Sequence, residues 1–296
     1  MNQEELEKKV RHIQLHSRKP VVELLAGEYR SKFKGMGVEF EDVREYQFGD
    51  DIRTIDWKVT AKTGKPHVKL FMEERELSLF FLLDVSASGH FGSSEKAKIE
   101  VIAHIFALLA FSAVANNDKV GLILFSDQIE LFIRPGKGKK HIMNMIHQVL
   151  GFKPQSTGTD LNTALDFFQK VQKNSAVAFL VSDFLTEDNF SNNLKFTAYK
   201  HDLVCIHLTD AREKFIPKSG ILKLIDAEKN QNRFLDTNEN AVRQELESLA
   251  NDREKALKKL CREAGADFLS LCCSEDYLHA IIAFFRQRKE KSLDAL

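Results

Sequence analysis

Leu77-Ser78-Leu79-Phe80-Phe81-Leu82-Leu83-Asp84-Val85-Ser86-Ala87-Ser88 is the stretch on which the fold turns. From Leu77 to Val85 the run is almost continuously apolar, without the period-two alternation of a half-buried strand. It predicts a central strand buried on both faces, ending in a polar turn. Downstream, a helix is predicted over Glu95–Asn116, apolar around most of its circumference. A buried strand at Val120–Phe125 and a short edge strand at Ile129–Ile133 follow. Helices at Lys139–Leu150 and Asp160–Gln172 flank a loop, Gly151–Thr159. A strand at Ala176–Ser182, a helix near Asp188–Lys200 and a strand at Leu203–Leu208 continue the alternation. Such a succession predicts an α/β fold: a mostly parallel, Rossmann-like sheet with helices on both faces.

Residues 1–76 read as an N-terminal α+β extension packing on this domain. Helical patterning runs to Ala26, a glycine-containing loop spans Gly35–Gly37, and Pro66–Glu74 alternates as a strand. Residues 77–296 read as the main domain. Beyond Thr209 come a hairpin (Ile221–Asp226 with Arg233–Asp236) and a long charged helix over Asn238–Ala264, with Thr237 or Asn238 as its expected N-cap. The sheet pattern resumes at Ala266–Leu271 and an amphipathic helix covers Glu275–Arg288, so residues 210–264 read as an insertion.

Composition narrows the function. With 43% hydrophobic and 29% charged residues, the chain falls in the soluble globular range. Lys+Arg and Asp+Glu balance at 43 each, so no net field draws it to nucleic acid or anionic lipid. The basic clusters Arg30–Lys34 and Arg286–Lys291 are short and read as solvated surface. Met1–Val10 is rich in Glu and Lys, unlike a secretory signal. Val101–Ala115 is interrupted by His104 and Ser112 and is shorter than the ~20 residues of a membrane span, so it reads as a buried helix. Cys205, Cys261, Cys272 and Cys273 lack Cys-x-x-Cys spacing and read as reduced packing residues. These features together predict a cytoplasmic protein without a transmembrane segment.

Ligands of open α/β sheets bind beyond the carboxyl ends of the strands. Three loops qualify: Asp84-Val85-Ser86-Ala87-Ser88, Gly158-Thr159-Asp160 and Ser182-Asp183-Phe184. Their donors are hydroxyls and a few carboxylates, a set that suits magnesium or manganese. No His/Cys set suits zinc. An ion held by so few carboxylates is incompletely neutralised, keeps water ligands and stays electrophilic toward an incoming carboxylate. With no general base in the motif, that favours adhesion over turnover.

Asp84-x-Ser86-x-Ser88, with Thr159 and Asp183, resembles the metal-ion-dependent adhesion site of von Willebrand factor A domains. The flanking Gly37-Val38-Glu39-Phe40, Arg44-Glu45-Tyr46, the run Gly49–Trp57 and Thr60-Ala61-Lys62-Thr63-Gly64 closely resemble a bacterial domain-of-unknown-function family, number fifty-eight. The resemblance extends from about Leu24 to Phe285. It implies a von Willebrand factor A-like fold and a link to MoxR-type AAA+ ATPases, in pairs that assemble or remodel other protein complexes. Many longer relatives carry N-terminal membrane helices, so a soluble version is implied here. It further implies that Ser86 and Ser88 ligate the ion (Mg2+, with Mn2+ or Ca2+ open). Asp84 would touch the ion or its waters, Thr159 would act directly or through water, and Asp183 mainly through water. The sixth position would await an Asp or Glu of an unknown protein client.

Plainer readings stand beside these. Asp-x-Ser-x-Ser alone also suits turns and caps, and Asp160 reads as a helix N-cap rather than a ligand. Asp50, Asp51, Arg53, Asp56 and Trp57 form either a partner surface or a structural cluster. In the structural reading, which is preferred, Arg53 pairs with a carboxylate and Trp57 anchors the N-terminal region on the main domain. His104 reads as a satisfied core histidine, and the 23 phenylalanines as packing. Phosphate-loop, Gly-x-Ser-x-Gly and His-Glu-x-x-His motifs are absent. The enzymatic alternative is a magnesium-dependent phosphohydrolase using Asp84, although Ser86 stands where such enzymes generally place a second Asp.

Overall fold

The computed structural model describes residues 39–72, 77–86, 98–186, 188–225 and 232–293. The helical patterning up to Ala26, the Gly35–Gly37 loop, the Arg30–Lys34 cluster and Ser88 lie outside the described residues. The chain divides into two compact units, the smaller of them Arg30–Glu76.

In the smaller unit, β1 (Glu39–Glu45) leads through a 3-10 turn (Ile52–Thr54) and α1 (Trp57–Thr63) to β2 (His67–Met72), which pairs with β1 antiparallel. Asp56 starts α1 by accepting the N–H groups of Lys58 (2.9 Å) and Val59 (3.2 Å). Gly64 ends the helix at φ 73°, a left-handed conformation that glycine adopts without a Cβ clash. Asp51 caps the 3-10 turn through the Arg53 N–H at 3.0 Å. Asp50 is gripped by both arms of the Arg44 guanidinium at 2.7 Å and also accepts the Gln47 N–H. That guanidinium holds the Asp50 carboxyl below its usual range.

The larger unit runs β3 (Ser78–Asp84), α2 (Lys98–Ala115), β4 (Lys119–Phe125), β5 (Ile129–Gly136), α3 (Lys139–Gly151), α4 (Leu161–Val171), β6 (Val177–Ser182) and α5 (Ser191–Lys200). It continues with β7 (Asp202–Thr209), α6 (Ala211–Lys214), β8 (Ile221–Ile225), β9 (Asn232–Asp236), α7 (Asn240–Ala264), β10 (Asp267–Cys272) and α8 (Tyr277–Leu293). The central sheet has six strands in the order β10-β7-β6-β3-β4-β5. Every neighbouring pair is parallel except β4 with the edge strand β5. β8 and β9 form a separate hairpin.

Strand β3 lies in the middle, and its alternate residues serve two cores. On one face Phe80 meets Phe168 of α4 at 5.1 Å. On the other, Phe81 meets Phe106 of α2 at 4.9 Å and stacks on Phe179 at 5.0 Å, with Phe285 of α8 beyond. A Cβ at Gly121 would stand 2.7 Å from the Phe80 ring, so glycine lets that ring lie against β4. Helix α2 is long and apolar enough to cross a membrane, but 67% of that span is buried inside the fold as a core helix.

Two expectations need correction. Glu239, not Thr237 or Asn238, stands at the N-cap of α7, without a side-chain bond. Thr237 is committed elsewhere: buried at the base of the hairpin, its hydroxyl donates to the Gly220 carbonyl and accepts the Ser219 N–H. Arg288, in the basic run expected to be solvated, instead pairs with Asp202 at 2.7 Å and Asp267 at 2.9 Å. It ties the amino ends of β7 and β10 to α8. At the same sheet edge Asp118 accepts the Leu77 N–H at 2.9 Å. His104 shares a 3.0 Å hydrogen bond with the Tyr277 hydroxyl. All four cysteines are free thiols, three of them buried.

Candidate functional site

Strand β3 carries Asp84 to the carboxyl edge of the sheet, where the carboxylate is fully enclosed. The chain bends back immediately, and the Ser86 N–H donates to Asp84 Oδ1 at 2.9 Å. From the next strand, β6, the Ser182 hydroxyl donates to Asp84 Oδ2 at 2.6 Å. Ser182 Oγ in turn accepts the Phe184 N–H at 2.9 Å, and Phe184 takes a left-handed φ of 54°. That conformation is costly for a bulky residue and is kept only where its surroundings fix it. Asp183, the residue before it, lies at the same edge, where its charge acts on Asp84.

Burial pushes the Asp84 carboxyl up, the charge of Asp183 pushes it further, and hydrogen bonds from Ser182 and Ser86 pull it back, leaving it at about 6. Asp183, also buried, accepts the Leu185 N–H at 3.2 Å through Oδ1 and the Lys98 ammonium at 3.0 Å through Oδ2. Lys98 donates as well to Glu213 Oε1 at 2.5 Å. Burial pulls the Lys98 ammonium down, but Asp183 and Glu213 more than offset this and leave it raised.

Thr159 reaches this edge on a loop pinned from both sides. Glu130 of β5 accepts the N–H groups of Gln155 and Ser156 at 3.1 Å, and the Asp160 N–H donates to the Ser126 carbonyl at 3.0 Å. Thr159 itself is buried. Asp160 caps α4, accepting the Asn162 N–H at 2.9 Å and the Thr163 hydroxyl at 2.6 Å, and so serves the helix.

The donors suit a hard divalent cation. Asp84, Asp183, Ser86 and Thr159 offer oxygen only, and two mutually repelling carboxylates in an enclosed edge favour positive charge. Among the described residues no three His, Cys, Asp or Glu side chains converge as a metal cluster. The acidic residues alone therefore do not make a site, and hydroxyls would have to complete it. Two members escaped the sequence reading: Ser182, singled out only as part of a strand end, and Lys98. A signal for Lys98 existed, since it precedes Ile102, Ile105 and Leu109 at helical spacing on a buried face.

The second group of expected residues resolves differently. Asp50, Asp51 and Asp56 shape turns, caps and an ion pair of the smaller unit. The arginine that pairs is Arg44, where Arg53 was expected. Nothing in its own unit buries the Trp57 ring, which is 69% exposed, so within that unit it is no buried anchor. Phe48 and Ile52 are exposed too.

A mostly parallel six-stranded sheet with one antiparallel edge, helices on both faces and oxygen donors at its carboxyl edge defines a von Willebrand factor A-like α/β domain. The chain belongs to the family described as "Protein of unknown function DUF58", whose model matches residues 42–256. It is similar to an uncharacterized protein of Mycobacterium tuberculosis, 27% identical over 286 residues that cover 96% of this chain and 90% of the relative. A shorter similarity to the uncharacterized protein YeaD of Bacillus subtilis, 27% over 107 residues, covers 36% of this chain and 25% of that one. Among solved structures, an aerotolerance-related membrane protein of Bacteroides fragilis matches in fold, with a TM-score of 0.50 and 13% identity, over 73% of this chain and 99% of that one. A von Willebrand factor type A protein of Catenulispora acidiphila gives a TM-score of 0.42 at 11% identity, over 76% of this chain and 44% of that one.

Proposed function

We propose that the chain is a metal-dependent protein-binding module rather than an enzyme. It holds one divalent ion, Mg2+ before Mn2+ or Ca2+, at the carboxyl edge of the sheet. Ser86 and Ser88 hold the ion, Asp84 touches it or its waters, Thr159 acts directly or through water, and Asp183 mainly through water. The ion supplies an electrophilic point to which an Asp or Glu of a partner can coordinate.

One observation supports this reading above the rest. Asp84 and Asp183 are buried side by side, and among the described residues the donors around Asp84 are one N–H and hydroxyls, which do not cancel its charge. A purely structural carboxylate is better served by a cationic partner, such as Arg288 provides for Asp202. Family resemblance extends the proposal to a MoxR-type AAA+ ATPase as partner, acting in the cytoplasm on a client complex. The exposed Phe48, Ile52 and Trp57 offer a second contact surface for it.

The test is the affinity for a purified MoxR-type ATPase in magnesium and in excess EDTA, for the wild type and Ser86→Ala. Binding lost in EDTA and in the variant is expected. Binding that survives both would remove the ion from the reading. Turnover of a generic phosphate ester that disappears in Asp84→Asn would replace it with the phosphohydrolase alternative.

A further inference from the structure

Lys98 is the feature of this edge that a simple ion site does not need. Its side chain is 2% exposed, on a helix otherwise given over to the apolar core. A buried ammonium is strongly disfavoured unless paired and hydrogen-bonded, so its partners fix its place. Those partners come from separate elements: Asp183 from the end of β6 and Glu213 from α6. Glu213 is held independently, because its Oε2 accepts the Asp210 N–H at 3.0 Å while Asp210 caps α6 through the Arg212 N–H at 2.8 Å. The carboxylate is thus aimed at Lys98 by the local fold.

Resting on the ion-binding reading above, we propose that Lys98 is a resident counter-ion that sets the affinity of the site. It neutralises Asp183 and keeps the free protein's hold on a divalent ion weak. An ion beside Asp84 then meets three carboxylates, Glu213 the farthest of them behind Lys98, and one ammonium, so two net negative charges attract it where three otherwise would. A unit charge a few ångströms away, at an effective dielectric of about 20, changes the affinity for a divalent ion by well over tenfold. Lys98 also ties the ion site to Glu213, at the start of the chain segment that carries the β8–β9 hairpin.

The experiment is a manganese titration followed by electron paramagnetic resonance, on the wild type and on Lys98→Met, Lys98→Gln and Lys98→Arg. Ser86→Ala is added to the wild type and to each variant. Lys98→Gln keeps a donor for Asp183 and Glu213 without the charge, and carries the test if the methionine variant does not fold, as judged by near-ultraviolet circular dichroism. The expected result is manganese binding at least about tenfold tighter in the methionine and glutamine variants. The arginine variant should match the wild type, and Ser86→Ala should abolish binding throughout. Unchanged or weaker binding in a folded neutral variant, still sensitive to Ser86→Ala, overturns the role of Lys98 and leaves the ion site standing. Binding indifferent to Ser86→Ala, or no binding in any protein, overturns the ion site and this inference together.

Discussion

At the amino edge of the central sheet, Asp118 accepts the Leu77 N–H, and Asp202 and Asp267 share Arg288. At the carboxyl edge, Asp84 receives, among the described residues, only an N–H and hydroxyls, Asp183 repels it, and one ammonium serves both Asp183 and Glu213. Both edges set carboxylates at strand ends of one sheet, Asp202 and Asp267 at β7 and β10, Asp84 and Asp183 at β3 and β6. One edge matches them with dedicated donors and closes the fold. The other leaves charge incompletely matched among the described residues, a cost that the proposed cation would relieve.

The largest expected effect falls on the matched edge. Arg288→Met removes the guanidinium that Asp202 and Asp267 share, and a loss of about 2–4 kcal/mol is expected from urea denaturation, allowing for the partial exposure of Asp267. A loss below about 1 kcal/mol would mean that the amino edge is not held by this pair.

The two edges should also respond to pH with opposite sign. Asp84 sits at about 6 in the fold against 3.8 unfolded, so the native state favours its neutral form. Its contribution is full below 3.8 and is lost as pH rises through 6. In chelator, the wild type should therefore lose roughly 2–3 kcal/mol over that rise relative to Asp84→Asn, with magnesium reducing the loss. At the amino edge, His201 is buried against Phe168, its ring nitrogens without a hydrogen-bond partner among the described residues. Burial first, and Lys200 second, lower it from 6.5 to about 4. Its contribution is full above 6.5 and is lost as pH falls through 4. His201→Leu should remove about 1–2 kcal/mol of that acid sensitivity. Thermal melts across pH check both, and parallel profiles for the two variants would erase the contrast between the edges.

The smallest effect belongs to exposed pairs. Lys255→Ala breaks the 3.2 Å contact with Asp252 on α7, and a change under about 0.5 kcal/mol is expected in the same melts. A larger one would show that surface charge contributes as the buried pairs do.

Much of this architecture is legible in the sequence because burial on two faces leaves an unbroken apolar run. Leu77–Leu83 and Ala176–Val181 announce central strands, and the polar residues that end them fall at the edge where ligands bind. Asp84, Ser86, Thr159 and Asp183 could be picked out for that reason. Helical spacing could place Lys98 on a buried face, but not name its carboxylates 85 and 115 residues away, and the Asp202 partner of Arg288 lies 86 residues away. A charged residue near other charges reads as solvated until the fold supplies its carboxylates. Thr237 misled for a related reason: its hydroxyl closes the hairpin onto Gly220, a contact that local capping preferences do not contain.

Anomalous diffraction from crystals grown with excess manganese tests the ion at Asp84 most directly. The expected result is a peak at the carboxyl edge of the sheet, within coordinating reach of Asp84 or Ser86 and lost in Ser86→Ala. A well-ordered edge with no peak, or a peak only elsewhere on the molecule, would contradict it.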